Sequence, residues 1–299
     1  MHLERLWLND FRSYRSAAIE LAPGLTTVVG ANGRGKTNLL EAVGYLATLR
    51  SFRGVPTEAM IRAGADRAIV RAEGIRDSRA VLIEAELVAS GRGRIQVNKQ
   101  RVPRARDLLG AVRVSVFAPD DLVLVKGGPG DRRTYIDGTL TSIHPRNDSL
   151  QADLDRILRQ RNALLKQCGG RLDADTAFTL DVFDTKLVTA GEALATARAD
   201  LVDHLAPRLQ ESYEQVARHG APVTMRYVAP WRDEGLAASL AASRSADVRR
   251  GLTLAGPHRD DLELTIDGLP SRTHASQGEQ RSLALALRLA AHHVVTSTI

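Results

Sequence analysis

Hydrophobic and polar positions alternate along the first third of the chain and then change to a helical spacing. His2 to Leu8 alternates as a strand, and Ala17 to Leu21 reads as its hairpin partner across the polar stretch FRSYRS. Leu25 to Val29 (LTTVV) is a short β-branched run of the kind that fills a buried central strand. Gly30 breaks it, and Asn38 to Leu49 follows with apolar residues at helical spacing. Ala68 to Ile75, Ala80 to Val88 and Arg94 to Val97 predict further strands, with Gly91 and Gly93 marking a turn. Val112 to Phe117 (VRVSVF) predicts one more, closed by Pro119.

From Asp120 to Arg218 helical spacing dominates, in LQADLDRILRQRNALLKQ and in the long stretch that opens TAFTLDVF. Pro207 is expected to kink or split that second stretch, because it lacks the amide hydrogen that a helix interior needs. Strand pattern returns at Val223 to Val228, Leu252 to Leu254 and Leu262 to Ile266, and helix follows from Ser282. The expected fold class is α/β: a mixed sheet with helices over 1–118, a mainly helical insert over 119–250, and a return to the first domain over 251–299. No internal repeat or low-complexity linker interrupts this plan.

Composition narrows the classes. The 299 residues are 43% hydrophobic and 25% charged, within the usual globular range. No run approaches the roughly 18 apolar residues of a membrane span, and the opening MHLERLWLNDFRSY has no apolar core of a signal peptide. Cys168 stands alone, which excludes an internal disulfide framework and suits a reducing compartment, so a cytoplasmic protein is expected. Lys plus Arg exceed Asp plus Glu by 41 to 35, a net +6, and only Lys36, Lys99, Lys126, Lys166 and Lys186 are lysines. Arginine suits phosphate recognition, but a coding bias toward arginine would give the same count, so the charge permits nucleic-acid binding without establishing it.

The chemistry is concentrated at Gly30-Ala31-Asn32-Gly33-Arg34-Gly35-Lys36-Thr37, a full match to G-x-x-x-x-G-K-[ST]. Glycines let such a loop adopt angles that other residues resist and leave room for phosphate oxygens against backbone N–H groups. The helix that follows, opening near Asn38, adds its positive end. Lys36 is placed to neutralise the β and γ phosphates of a nucleoside triphosphate, and Thr37 to offer a hydroxyl to Mg²⁺. A second candidate lies at Ser276-Gln277-Gly278-Glu279-Gln280. On its own this is a capping box, with Ser276 as the cap and Glu279 three residues on. With a P-loop upstream, the same turn has the form of the ABC signature, which presents a hydroxyl, a glycine amide and a helix dipole to the γ-phosphate held by another chain.

With these residues in place the sequence resembles the RecF family, bacterial recombination and repair ATPases related to the heads of SMC proteins. LNDFRSY at Leu8 to Tyr14 is similar to the family's opening motif, with Asp10 and Ser13 where two asparagines are usual. GANGRGKTNLLEA at Gly30 to Ala42, Ser51-Phe52-Arg53, FAPDDLVLVKGGPGDRRTYID at Phe117 to Asp137, TLAGPHRDDL at Thr253 to Leu262 and ASQGEQRSLALAL at Ala275 to Leu287 complete the set. The resemblance implies an ABC-type head that binds ATP and Mg²⁺, forms an ATP-dependent homodimer, and holds single-stranded, gapped or junction DNA. It also implies work with RecO and RecR in loading a recombinase for repair, replication restart and the SOS response, with slow hydrolysis. The family continues past the signature helix into a strand ending in acidic residues. Here no acid follows Glu279, so the resemblance implies a chain truncated at its C-terminus that hydrolyses little; Asp120 and Asp121 are weak substitutes for the missing acids.

Other basic residues are less specific. Lys99, Arg101, Arg104 and Arg106 crowd one turn and are candidates for a DNA-facing rim; Arg132 and Arg133 could contact phosphate or pair with nearby acids. Arg156, Arg159 and Arg161 read as an exposed mixed face with Asp153 and Asp155. His258 and Arg259 suggest a fixed loop near the active site, without a defined role. Two other classes stay open: an SMC-like structural head, which would need a long coiled-coil arm, and a generic ABC subunit serving a membrane partner.

Overall fold

The computed structural model describes residues 2–76, 78–91, 93–102, 114–217 and 220–298, and the chain divides into two compact units, 1–118 and 119–299. The first unit opens with β1 (His2–Phe11) and β2 (Tyr14–Glu20), followed by α1 (Lys36–Thr48), β3 (Arg67–Arg76), β4 (Arg79–Val88), β5 (Arg94–Val97) and β6 (Gln100–Arg101). The strands form one antiparallel sheet in the order β2-β1-β3-β4-β5-β6. Period-two alternation sends Leu6 and Leu8 of β1, Ala68, Val70 and Ala72 of β3, and Ile83, Ala85 and Leu87 of β4 into one core. Helix α1 lays Leu39, Ala42 and Leu46 onto it. On the other side of β3 to β5 the charges pair across strands, Arg67 with Glu86 at 3.3 Å, Arg71 with Glu84, and Arg94 with Glu86 at 3.5 Å. These three arginines are therefore committed to the sheet.

The described residues of two expected strands of this unit form none. Residues 25–29 carry no strand, and Leu25 and Val29 are 91% and 88% exposed. A central strand needs a ladder on each side, and no described residue pairs with this run, so its propensity has nothing to act on. Of the VRVSVF segment, the described residues 114–117 form no strand, and 112–113 lie outside the described residues.

The second unit holds α2 (Val123–Lys126), α3 (Pro129–Ile143), α4 (Asp148–Gln167), α5 (Ala174–Ala217), β7 (Val223–Val228), α6 (Leu236–Arg250), β8 (Asp261–Ile266), β9 (Leu269–Pro270), α7 (Ser271–His274) and α8 (Gln277–Ser297). Helix α5 packs against α4, α8 and β7, and β7, β8 and β9 form a small antiparallel sheet. Leu201, Leu205 and Leu209 of α5 share a core with Leu264 of β8 and with Leu283, Leu287 and Ala290 of α8. Pro207 does not split α5, which runs 44 residues through it. Buried Leu205 and Leu209 on either side hold both halves in that one core, which outweighs the lost bond.

Leu252 to Leu254 was expected as a strand and is a loop, for a reason visible in its donors. Leu252 N bonds Asp247 O, Thr253 N bonds Asn162 Oδ1 at 2.8 Å, and Leu254 N bonds Asp247 Oδ1 at 3.1 Å. A helix carbonyl and two side chains take the amides that a ladder would use. Arg161, expected on an exposed face, is 0% exposed and pairs with Asp184 at 2.7 Å and Asp247 at 2.8 Å. Arg156 does lie on the surface with Asp153.

Candidate functional site

The glycine loop leads straight into α1. Gly33 and Gly35 adopt φ of 79° and 89°, in the left-handed region that favours glycine. A Cβ on Gly35 would stand 2.7 Å from Ser13 Oγ, so space as well as angle requires glycine there. Gly35 is also the N-cap of α1, where no side chain caps the helix and no acid occupies the first turn. The first amides of α1 are thus unclaimed by side chains, which is the arrangement that receives an anion. Lys36 Nζ reaches back to Gly30 O at 2.6 Å and Ala31 O at 2.9 Å, which sets the ammonium across the loop. Ala31, Asn32, Arg34 and Thr37 are exposed around it, and Thr37 places its hydroxyl in the exposed first turn of α1, where an Mg²⁺ ligand would sit. This set fits a magnesium–nucleoside triphosphate.

Two further sequence motifs converge on the same loop, through a residue that sequence reasoning had not singled out. Glu41, fully buried in α1, accepts from Arg12 Nε at 2.8 Å and Arg12 Nη2 at 2.6 Å, and from Ser51 Oγ. Arg53 stands 3.7 Å from its other side and reaches Asn38 Oδ1 at 3.4 Å. Asn38 Nδ2 in turn donates to Ser13 Oγ at 3.0 Å, and Tyr14 OH to Gly35 O at 3.2 Å. Burial works against the Glu41 carboxylate, but hydrogen bonds from Arg12 and Ser51 and the charges of Arg12 and Arg53 hold its pKa below the usual carboxylate range. Arg12 itself sits at φ 53°, a conformation held by this pair and by its bond from N to Met60 O at 2.8 Å. The FRSY turn and the Ser51-Phe52-Arg53 segment therefore brace the loop from behind. An acid inside the apolar helix run LLEAVGYL was the available signal.

In the second unit, Ser276 caps α8. Its Oγ accepts from Glu279 N at 3.3 Å, and Glu279 Oε2 accepts from Ser276 N at 2.6 Å. Ser276, Gln277 and Gly278 are exposed at this helix start, while Gln280 is buried and donates to Ser271 O and Arg272 O. The capping box and an exposed signature-type turn are one object. The segment from Phe117 to Asp137 supports α8: Tyr135 OH donates to Leu287 O at 2.6 Å, and Arg288 Nε to Asp121 Oδ1 at 3.1 Å. Asp121 is thereby an anchor of that helix.

The basic candidates separate. Lys99 and Arg101 are exposed, with Lys99 at φ 66° in the tight turn between β5 and β6. Arg104 and Arg106 lie outside the described residues. Arg132 is buried and committed to both oxygens of Asp261, at 2.7 and 2.8 Å, so it belongs to the interior and not to a DNA-facing surface. Arg133 is half-buried and donates to Asp260 O at 2.6 Å. Among the described residues no helix is long and apolar enough to cross a membrane.

A braced glycine cradle ahead of α1 and a capped Ser-x-Gly turn opening α8 are the parts of an ABC-type P-loop ATPase head, and the comparisons agree. Residues 2–299 match the family model described as the RecF/RecN/SMC N terminal domain. A solved Smc head domain from Pyrococcus furiosus shares the fold, at a TM-score of 0.53 and 19% identity over 98% of this chain and 79% of that one. A solved structure of the recombination mediator protein RecF-ATPrS in the RecFOR pathway is much nearer, with a TM-score of 0.91 and 26% identity over 99% of this chain and 82% of that one. Proteins called DNA replication and repair protein RecF are 46% identical in Frankia alni (99% of this chain, 82% of the relative) and 45% identical in Streptomyces avermitilis (99% and 83%). The chain belongs to the RecF family.

Proposed function

We propose that this chain is an ATP-dependent DNA clamp of recombinational repair and replication restart. The observation that carries the reading is the cradle: an uncapped α1 start, glycines at positive φ, and Lys36 bonded, among the described residues, to the carbonyls of its own loop. Gly30 to Asn38 would hold the triphosphate of ATP, Lys36 meeting the β and γ phosphates and Thr37 the Mg²⁺. A relative solved as RecF-ATP supports the choice of nucleotide. Ser276 to Glu279 would meet the γ-phosphate bound by a second copy of the chain, so that ATP closes a homodimer around DNA. Lys99, Arg101 and Arg133 are the DNA candidates that stay available among the described residues. Family membership supports single-stranded, gapped or junction DNA as the target and RecR and RecO as partners, in the cytoplasm. It favours this reading over a structural SMC-like head or a transporter subunit.

The test is calorimetric titration with Mg–ATP. Lys36→Ala removes the one lysine of the loop and should weaken binding at least tenfold, about 1.4 kcal/mol. A folded variant that binds ATP as well as the native chain would overturn the site.

A further inference from the structure

We propose that the solvent face of the six-stranded sheet is a platform for single-stranded nucleic acid, with Trp7 stacking on a base and Arg71, Lys99 and Arg101 meeting the backbone. This rests on the DNA-binding reading above and assigns the single strand to one surface of the first unit. The strand register builds that surface. Leu6 and Leu8 are fully buried on the core side of β1, so Trp7 between them points to the opposite side, where it is partly exposed. From Trp7 one row crosses the sheet: Trp7 faces Arg71 of β3, Arg71 faces Glu84 of β4, Glu84 faces Gln96 of β5, and Gln96 faces Arg101 of β6. At about 4.8 Å per strand the row is about 19 Å long. A hollow of about 230 Å³, lined by Arg71, Leu82, Glu84, Gln96 and Lys99, lies along it.

The charges on this face are layered. Arg67, Arg71 and Arg94 keep 68%, 46% and 48% of their side chains exposed, whereas their partners Glu84 and Glu86 keep 12% and 16%. The carboxylates lie beneath, and the guanidiniums they hold in place face solvent. Arg71 spends Nε and Nη2 on Glu84, which leaves Nη1 for a ligand. Three guanidiniums answer two carboxylates, and Lys99 and Arg101, which form no ion pair among the described residues, add to that surplus. Toward β2 the balance reverses. Arg5 stands opposite Glu73 and pairs with Glu20 at 3.4 Å, so the surplus is confined to the β3 to β6 side of Trp7.

An indole beside fixed cations is the combination that holds a single strand: stacking uses the face that every base has, and the cations follow the phosphates. A duplex keeps its bases stacked within the helix and offers Trp7 none. An acidic peptide would satisfy the cations and leave the indole unused.

The test is titration of the Trp231→Phe chain, without nucleotide, with an oligothymidylate of about 12 nucleotides, following Trp7 fluorescence. Emission should be quenched saturably, and a hairpin duplex or polyglutamate should leave it unchanged. By anisotropy of a labelled oligothymidylate, affinity should fall about tenfold or more in Trp7→Leu and be largely restored in Trp7→Phe, which still stacks. Lys99→Gln/Arg101→Gln should make the slope of log affinity against log salt shallower by about 1.4, about 0.7 for each lost phosphate contact. Should Trp231→Phe not fold, anisotropy decides; should Trp7→Leu not fold, the quenching and the salt slope decide. No quenching, native affinity in Trp7→Leu, or quenching by polyglutamate equal to that by the oligonucleotide overturns the platform. Retention of gapped duplex with Mg–ATP tests the clamp separately. If the native chain holds gapped duplex while Trp7 responds to no single strand, only the platform fails; if it holds neither, both fail.

Discussion

Replacing Glu41 by glutamine should unfasten the brace behind the P-loop. The carboxylate is fully buried and serves Arg12 through both oxygens, with Ser51 and Arg53 beside it. Removing one partner of a buried pair costs about 3–5 kcal/mol. Arg12 and Arg53 are 14% and 39% exposed and can recover some hydration, and Arg12 keeps its bond to Ala59 O, so about 2 kcal/mol is expected. The chain has two tryptophans, Trp7 in β1 and Trp231 in the second unit, so a Trp231→Phe background makes fluorescence report the first unit alone. With a urea slope of about 2 kcal/mol per molar, the midpoint should fall by about 1 M. The pH dependence has a definite sign. The Glu41 pKa is depressed in the folded chain, so its contribution is complete above about 4.3, the unfolded value, and is lost as pH falls through the folded one. The gap between native and Glu41→Gln chains should close toward acid pH. A midpoint shift under about 0.25 M at neutral pH, or a gap that widens in acid, would refute the brace.

Three other outcomes follow from single contacts. Gly35→Ala combines a φ of 89° with a Cβ 2.7 Å from Ser13 Oγ, so it should cost at least about 1 kcal/mol and weaken ATP binding; native affinity by calorimetry would contradict the tight approach. Arg161→Met leaves Asp247 buried without its cation and should destabilise the second unit by about 3–5 kcal/mol, read from Trp231 fluorescence in urea in a Trp7→Phe background. His258 is held below its ordinary pKa by burial and by Arg259, Arg133 and Arg161, so stability should be complete above about pH 6.5 and decline as pH falls below it. Thermal unfolding at two pH values should show that slope in the native chain and a shallower one in His258→Asn.

What was legible in the sequence was what depends on local pattern. The alternation from His2 to Leu8 and from Ala80 to Val88 gave strands because one face meets a core, and Ser276 with Glu279 gave a cap because a cap is closed by residues three apart. The P-loop was legible because its glycine angles and its lysine lie within eight consecutive residues. Failures came where distant residues decide. LTTVV has the composition of a strand but no ladder among the described residues, and Leu252 to Leu254 lost its amides to Asn162 and Asp247. Arg161 reads as a surface charge, and Arg132 as a phosphate contact or a partner of nearby acids, because their acids, Asp247 and Asp261, are remote in sequence. Glu41 lies inside a motif without revealing its role, since its partners Arg12 and Ser51 lie in two other segments.

The central claim, that one chain's P-loop meets another chain's signature turn, is tested most directly by mixing two disabled chains. Lys36→Ala spoils the nucleotide cradle, and Ser276→Arg places a bulky cation where the opposite γ-phosphate would sit, at a helix cost of about 1 kcal/mol. Light scattering with Mg–ATP should find each variant monomeric alone, and a partial population of heterodimer in the mixture, because one composite site remains whole. If Ser276→Arg dimerises with ATP by itself as the native chain does, the two-chain clamp is wrong.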